Sequence, residues 1–286
     1  PRSLRSLRGL ILHRAGSIGL PEPLAPAMPE LHDRPLGTSP EHKVLHAVAQ
    51  TGSRLVGDRF LASYLTDCLH MVGGLGPLHK VLLADAGQKR GAAPETITRL
   101  VAQAEDNMRW VSEMQAEDYH RVNVLAFLSL WSAYETGTEN IIAAALGTIN
   151  SAATSAADKF ARGTYDMAAW PWSDEKCLEI AQKLDQKAKQ KTPDGGWDIA
   201  ARLTTLFGWL GADIAIPTNT SSTLNEASMV RNVLLHRYGR LGPRDIERAP
   251  HLAVNENNAV QITRSRLSQY SQAVNETHIA VMQGVY

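Results

Sequence analysis

Apolar positions recur along most of this chain at three- and four-residue intervals, and the strict alternation of a half-buried strand is scarce. That period predicts an all-α protein, folded as a helical bundle. From about His42 to Val72, the residues Leu45, Val48, Leu55, Phe60, Leu61, Leu65 and Leu69 fall near a 3.6-residue repeat. Gly73-Gly74-Leu75-Gly76-Pro77 then predicts a break; a helix rather than a strand precedes it, which argues against a phosphate-cradling loop. Pro94 and Glu95 open a second helix through Ile97, Leu100, Val101, Met108 and Val111. The most apolar helix is expected from about Val122 to Leu146 and is apolar nearly all round in its first half, which places it at the centre of the bundle. Glu135 and Glu139 lie one turn apart on it, hence on one face, and each needs a cation or a donor there.

Residues 147–157 read as a loop with a helical turn. Ser173, just after Trp170-Pro171-Trp172, is the expected N-cap of a helix reaching about Gln190. Its lysines Lys176, Lys183, Lys187 and Lys191 form a stripe opposite Leu178, Ala181, Leu184 and Ala188. This is the solvated face of an amphipathic helix, with nucleic-acid contact as the sharper alternative. Pro193 to Gly196 predicts another break, residues 199–210 another helix and residues 217–222 a loop. Thr223 and Glu226 form a capping-box pattern for a helix that Gly239 ends and Gly242-Pro243 keeps from resuming. Met229, Val230, Val233, Leu234 and Leu235 are apolar enough to bury much of that helix, so Arg231, Asn232 and His236 are expected among core residues. A Gly/Pro-punctuated loop with Arg237, Arg240, Arg244 and Arg248 follows, then a last helix over about 255–274 with Val260, Leu267 and Val274 at heptad spacing. The division read from this pattern is a basic then Pro/Gly-rich extended arm over 1–42, a helical N-terminal section over 43–93, and the bundle over 94–286.

Composition narrows the class. The 286 residues carry a formal net charge of +0, so any anion-binding surface must be a local patch. Cys68 and Cys177 are the only cysteines and are far apart, which points to a reducing, cytoplasmic setting. No apolar run approaches the roughly 20 residues of a membrane span, and no membrane partner is expected. The first 21 residues lack acids and carry Arg2, Arg5, Arg8 and Arg14; a mobile terminus is favoured there over a transit peptide or an RNA-touching arm. The cysteines show no C-x2-C spacing, and Cys68-x-His70 alone is too slight; neither metal nor cofactor is expected. A G-x-S-x-G nucleophile elbow is also lacking.

The chemistry concentrates in Arg231-Asn-Val-Leu-Leu-His236. Asn232 and His236 are four residues apart and stack on one helical face, and the long Arg231 side chain can curl to the same cleft. At the helix C-terminus the macrodipole favours protonated His236, while the neighbouring arginines oppose it, a balance suited to a general acid or base. An arginine is the preferred partner of a phosphate or its transition state. Together these groups can break an RNA phosphodiester without a metal. A single histidine cannot easily be base and acid at once, and a symmetric dimer would bring a second copy to one cleft.

Arg231-x4-His236, with a polar Asn232 directly after the arginine, resembles the R-x4-H signature of HEPN domains. The resemblance covers roughly residues 120–275. It implies an all-α bundle and a metal-independent endoribonuclease with a composite site at a homodimer interface, in a bacterial toxin–antitoxin or phage-defence setting with an antitoxin or defence partner. It implies catalytic roles for Arg231, His236 and Asn232, with Glu135 as the acidic residue of the preceding helix that positions Arg231. Arg237, Tyr238, Arg240 and Arg244 are the accompanying RNA-binding candidates. Arg231-x4-His236-x-Tyr238 also matches the form whose tyrosine is nucleotidylated by an antitoxin, although Tyr238 reads better as a packing or base-stacking residue. Two alternatives stay open: a non-catalytic bundle of this kind that binds RNA or a protein, and a scaffold in which Arg231 pairs with Glu135 while His236 is a satisfied core residue.

Overall fold

Nine α-helices and two short 3-10 turns supply the regular structure among the described residues, in agreement with the all-α expectation. The structure is a computed structural model and describes residues 40–159, 165–192, 197–252 and 258–285. The expected arm over 1–42 therefore lies almost wholly outside the described residues, as do the break at 193–196 and residues 253–257. The helices are α1 (Pro40–Lys89), α2 (Pro94–Ala116), α3 (His120–Thr148), α4 (Asn150–Lys159), α5 (Asp174–Lys191), α6 (Ile199–Gly208), α7 (Thr218–His236), α8 (Pro243–Arg248) and α9 (Arg264–Val285). None of them is long and apolar enough to cross a membrane.

The long, apolar α3 forms the centre of the bundle, as its pattern predicts: α1, α5, α9 and α4 all pack on it. Phe127, Leu130, Trp131, Tyr134, Ile141, Ile142 and Leu146 bury along its length. Its entry is locked by a second segment. Asp118 and Tyr119 take left-handed backbone (φ 47° and 58°), and the Asp118 carboxylate accepts from the backbone N–H and Nε of Arg264, both at 2.9 Å. One residue on, His120 Nδ1 accepts the Ile262 N–H at 2.9 Å. That bond requires the unprotonated nitrogen, and burial lowers the pKa of His120 in the same direction.

Several expected boundaries are corrected. The break at Gly73 to Pro77 is absent, because α1 runs unbroken for 50 residues with Pro77 inside it. Such a proline costs a helix about 3 kcal/mol, and the glycines around it have a packing role. A methyl group built on Gly76 would lie 2.3 Å from Met108 Cγ, and on Gly73 2.9 Å from Val111 Cγ1. The same row at Gly87 faces Ile97 at 2.7 Å. These glycines admit α2 to close range. Near the other end of α1, Val44, Val48 and Leu55 bury in the same core as α3, so residues 43–93 and 94–286 share one core.

The helix carrying the motif begins at Thr218, not Thr223, and takes in the expected loop 217–222 from its second residue on. The capping box does not form. Thr223 Oγ1 donates to the Asn219 carbonyl, and Glu226 accepts from Tyr270 Oη at 2.7 Å while lying 2.7 Å from His251 Nε2. Residues 150–159 form α4 rather than a loop. The last helix starts at Arg264 and runs eleven residues past the expected 274, to Val285. Val260 is buried but off the helix: its N–H donates to the Gly239 carbonyl at 2.9 Å, beside an isolated antiparallel bridge between Arg240 and Ala259. Gly239 is left-handed (φ 79°), as its role as a stop signal requires. Ser173 does cap α5, its Oγ accepting the Lys176 N–H at 3.3 Å.

Candidate functional site

Three helices beside α3 converge on its middle, and small local bonds fix their positions. Asp198 caps α6 by accepting the Ala201 N–H at 3.0 Å. Asn225, on α7, accepts the Ile199 N–H at 2.8 Å and ties the start of α6 to α7. Between α3, α5, α6 and α7 lie two adjoining hollows of about 180 and 210 Å³, which share Trp131, Glu135, Ile199 and Arg202. Tyr134, Glu139 and Asp185 extend one of them; Lys189, Trp197, Ser228, Arg231 and Asn232 extend the other.

Glu135, Arg231 and Asn232 are brought together here. Arg231 Nη2 donates to Glu135 Oε2 at 3.1 Å, and Nη1 donates to Asn232 Oδ1 at 3.0 Å. The Arg231 and Glu135 side chains are 29% and 39% exposed, so the pair lies at the mouth of the cleft. Two of the five N–H donors of Arg231 are occupied by these bonds, which leaves the guanidinium able to receive a planar oxyanion. A second arginine is held more tightly. Arg202 Nε donates to Asp185 Oδ1 at 2.7 Å and Arg202 Nη2 to the other carboxylate oxygen, with both side chains about one-fifth exposed.

Two buried polar atoms of the cleft residues, Trp131 Nε1 and Tyr134 Oη, have no partner among the described residues. Burial pushes the Tyr134 phenol well above its ordinary pKa, with Arg202 opposing, so the group stays a neutral donor. The cleft carries balanced formal charge, with Glu135, Glu139 and Asp185 against Lys189, Arg202 and Arg231.

His236 is not in the cleft. It is the last residue of α7 and is exposed, contrary to its expected place among core residues, because the final turn passes the edge of the bundle. Val233 is buried, Leu234 half-buried and Leu235 already 50% exposed. The Asn232 amide oxygen goes to Arg231 rather than to the imidazole. Of the expected RNA contacts, Arg237 is engaged at 2.6 Å with Asp245, whose carboxylate also accepts the Gly242 N–H and closes the loop. Tyr238 is 98% exposed with left-handed backbone (φ 53°), which removes the packing reading and leaves an open ring face. Arg240 and Arg244 are exposed beside it. The lysine stripe of α5 follows the solvated-face reading: Lys176 and Lys183 both pair with Glu179, and Lys191 lies 5.5 Å from the Trp209 ring. Among the described residues no group of three His, Cys, Asp or Glu side chains is placed to hold a metal ion.

The Arg202–Asp185 pair was not anticipated. Asp185 follows Ala181 by four residues and precedes Ala188 by three, and Arg202 stands likewise between Ile199 and Leu206, all of them buried. A charge beside each buried stripe was the available signal that the two helices exchange a salt bridge.

No family model, no curated protein and no solved structure matches this chain significantly.

Proposed function

We propose that this chain is a metal-independent endoribonuclease of the HEPN class, working as a homodimer. The observation that supports this most is the Glu135–Arg231–Asn232 arrangement at the cleft mouth, with His236 free on the surface just over one helical turn further on. In this reading Glu135 sets the orientation of Arg231, which holds a phosphodiester oxygen. One histidine takes the proton of the ribose 2′-hydroxyl, whose oxygen attacks phosphorus. The P–O5′ bond breaks, and His236 of a second copy gives its proton to the departing 5′-oxygen. The products are a 2′,3′-cyclic phosphate and a 5′-hydroxyl. Arg231 stabilises the charge of the phosphorane, and Tyr238, Arg240 and Arg244 hold the flanking strand.

Purified protein is expected to cleave RNA in EDTA and leave cyclic phosphate ends, and His236→Ala should abolish this. Cleavage that survives the substitution would sink the assignment. A second reading has one observation in its favour: His236 has no hydrogen-bonding partner among the described residues to orient it. A bundle that binds RNA without cutting it would show no cleavage at any salt concentration, and an affinity that falls steeply as salt rises.

A further inference from the structure

The C-terminal half of α1 is apolar on more sides than its neighbours cover. Leu61, Leu65, Cys68, Val72, Leu75 and Leu82 follow the alternating four-and-three spacing of a heptad seam, and His79 takes the one remaining place. A second stripe beside it carries Phe60, Tyr64, Met71, Leu78 and Val81. α2 covers a different row, the one with Gly73, Gly76 and Gly87. Ten large apolar residues between Phe60 and Leu82 are consequently 44–63% exposed. A helix that is apolar nearly all round is normally covered nearly all round.

We infer that this seam is a self-association surface, covered by the same seam of a second copy. Size is the first argument. At roughly 80–100 Å² of exposed surface each, the ten residues present on the order of 800–1,000 Å². That exceeds the largest apolar patch of a typical monomer and matches what one partner contributes to a stable interface. Charge is the second. Between Phe60 and Leu82 the only charged residues are Asp67 and Lys80, and Lys80 pairs with Glu105. Asp67 is exposed and has no partner among the described residues, but a single carboxylate on so wide an apolar face gives an anionic lipid headgroup nothing to hold and a cationic partner little, whereas two identical apolar faces complement each other across a two-fold axis. The third is shape: a groove of about 560 Å³ runs between α1 and α2, lined by Met71, Val72, Leu75, Leu82 and Met108, and receives side chains from a facing helix. The seam lies on α1 and the arginine–histidine motif on α7, so this association stands apart from the nuclease reading.

The test is the mass of the full chain by light scattering at micromolar concentration, with helicity followed by circular dichroism. Wild type is expected to be at least dimeric, and Leu65→Glu with Leu75→Glu to halve its mass at unchanged helicity. Leu65→Ala with Leu75→Ala keeps helix propensity and serves if the glutamates impair folding; it is expected to dissociate at higher concentration than wild type. A monomeric wild type, a mass unchanged in both variants, or a monomer captured by phosphatidylcholine vesicles would overturn the inference.

Discussion

Two arginine–carboxylate pairs share one cleft and differ in how fully each guanidinium is engaged. At the α5–α6 end, Arg202 meets Asp185 through two donors, and both side chains are about one-fifth exposed. At the α3–α7 end, Arg231 gives one donor to Glu135 and one to Asn232, and both members of the ion pair are more open. A bidentate pair shielded from water has little left to offer a ligand, and removing one partner strands the other in a costly environment. An arginine held by single bonds at a cleft mouth is oriented yet still has donors to give. Geometry therefore separates a clamp that holds two helices together from a cation placed for use.

The sharpest way to break that contrast is to remove each arginine in turn. Arg231→Ala is expected to lower RNA cleavage by about 10²–10³-fold, the usual loss when one preorganised stabiliser of a transition-state oxyanion is removed. Its urea-unfolding midpoint should move little, because the Glu135 left behind is reached by water. Arg202→Ala should do the reverse. Stranding Asp185 costs roughly 2–3 kcal/mol of stability after allowance for its partial exposure, while cleavage per folded molecule stays within about tenfold of wild type. Equal losses of cleavage with no loss of stability in Arg202→Ala would show that both arginines bind substrate.

A finer cut uses the carboxylates. Glu135→Gln preserves shape and an acceptor while removing the charge that restrains Arg231. Cleavage is expected to fall by about tenfold, as for a residue that orients another, with RNA affinity equal or higher because one negative charge leaves the cleft. Asp185→Asn is expected to lower the melting temperature more than Glu135→Gln does. If the order of those melting temperatures is inverted, the assignment of clamp and working cation is inverted with it.

The same contrast bears on what the sequence made legible. The Glu135–Arg231 contact was legible through the family resemblance, which sets an acid of the preceding helix beside the motif arginine; the residues alone said only that a carboxylate on a helix as apolar as α3 needs a cation or a donor. The position of α3 and the Ser173 cap were readable for local reasons. What failed was decided by partners distant in sequence. Gly73 to Pro77 reads as a break until α2 is seen to need the space above those glycines. Thr223 and Glu226 read as a capping box until Tyr270 and His251 are seen to hold Glu226. His236 continues the apolar pattern of α7 but lies beyond the edge of what α7 packs against, and an edge is not written in a period.

Tyr238 gives the smallest effect and the cleanest separation of binding from folding. Its ring touches almost nothing, being 98% exposed, and its left-handed backbone sits between the end of α7 and Gly239. Tyr238→Ala should therefore leave stability within about 0.5 kcal/mol of wild type. If the open ring stacks on a base next to the scissile phosphate, RNA affinity should weaken by about 1 kcal/mol, the low end for a single stacked base, with no change in salt slope because no charge is lost. Arg240→Ala should instead reduce that slope by about one. Fluorescence anisotropy with a labelled single-stranded RNA over a salt series measures both, using the His236→Ala background to prevent cleavage. An unchanged affinity in Tyr238→Ala would move the strand away from the end of α7 and leave the cleft mouth at Arg231 as its only contact there.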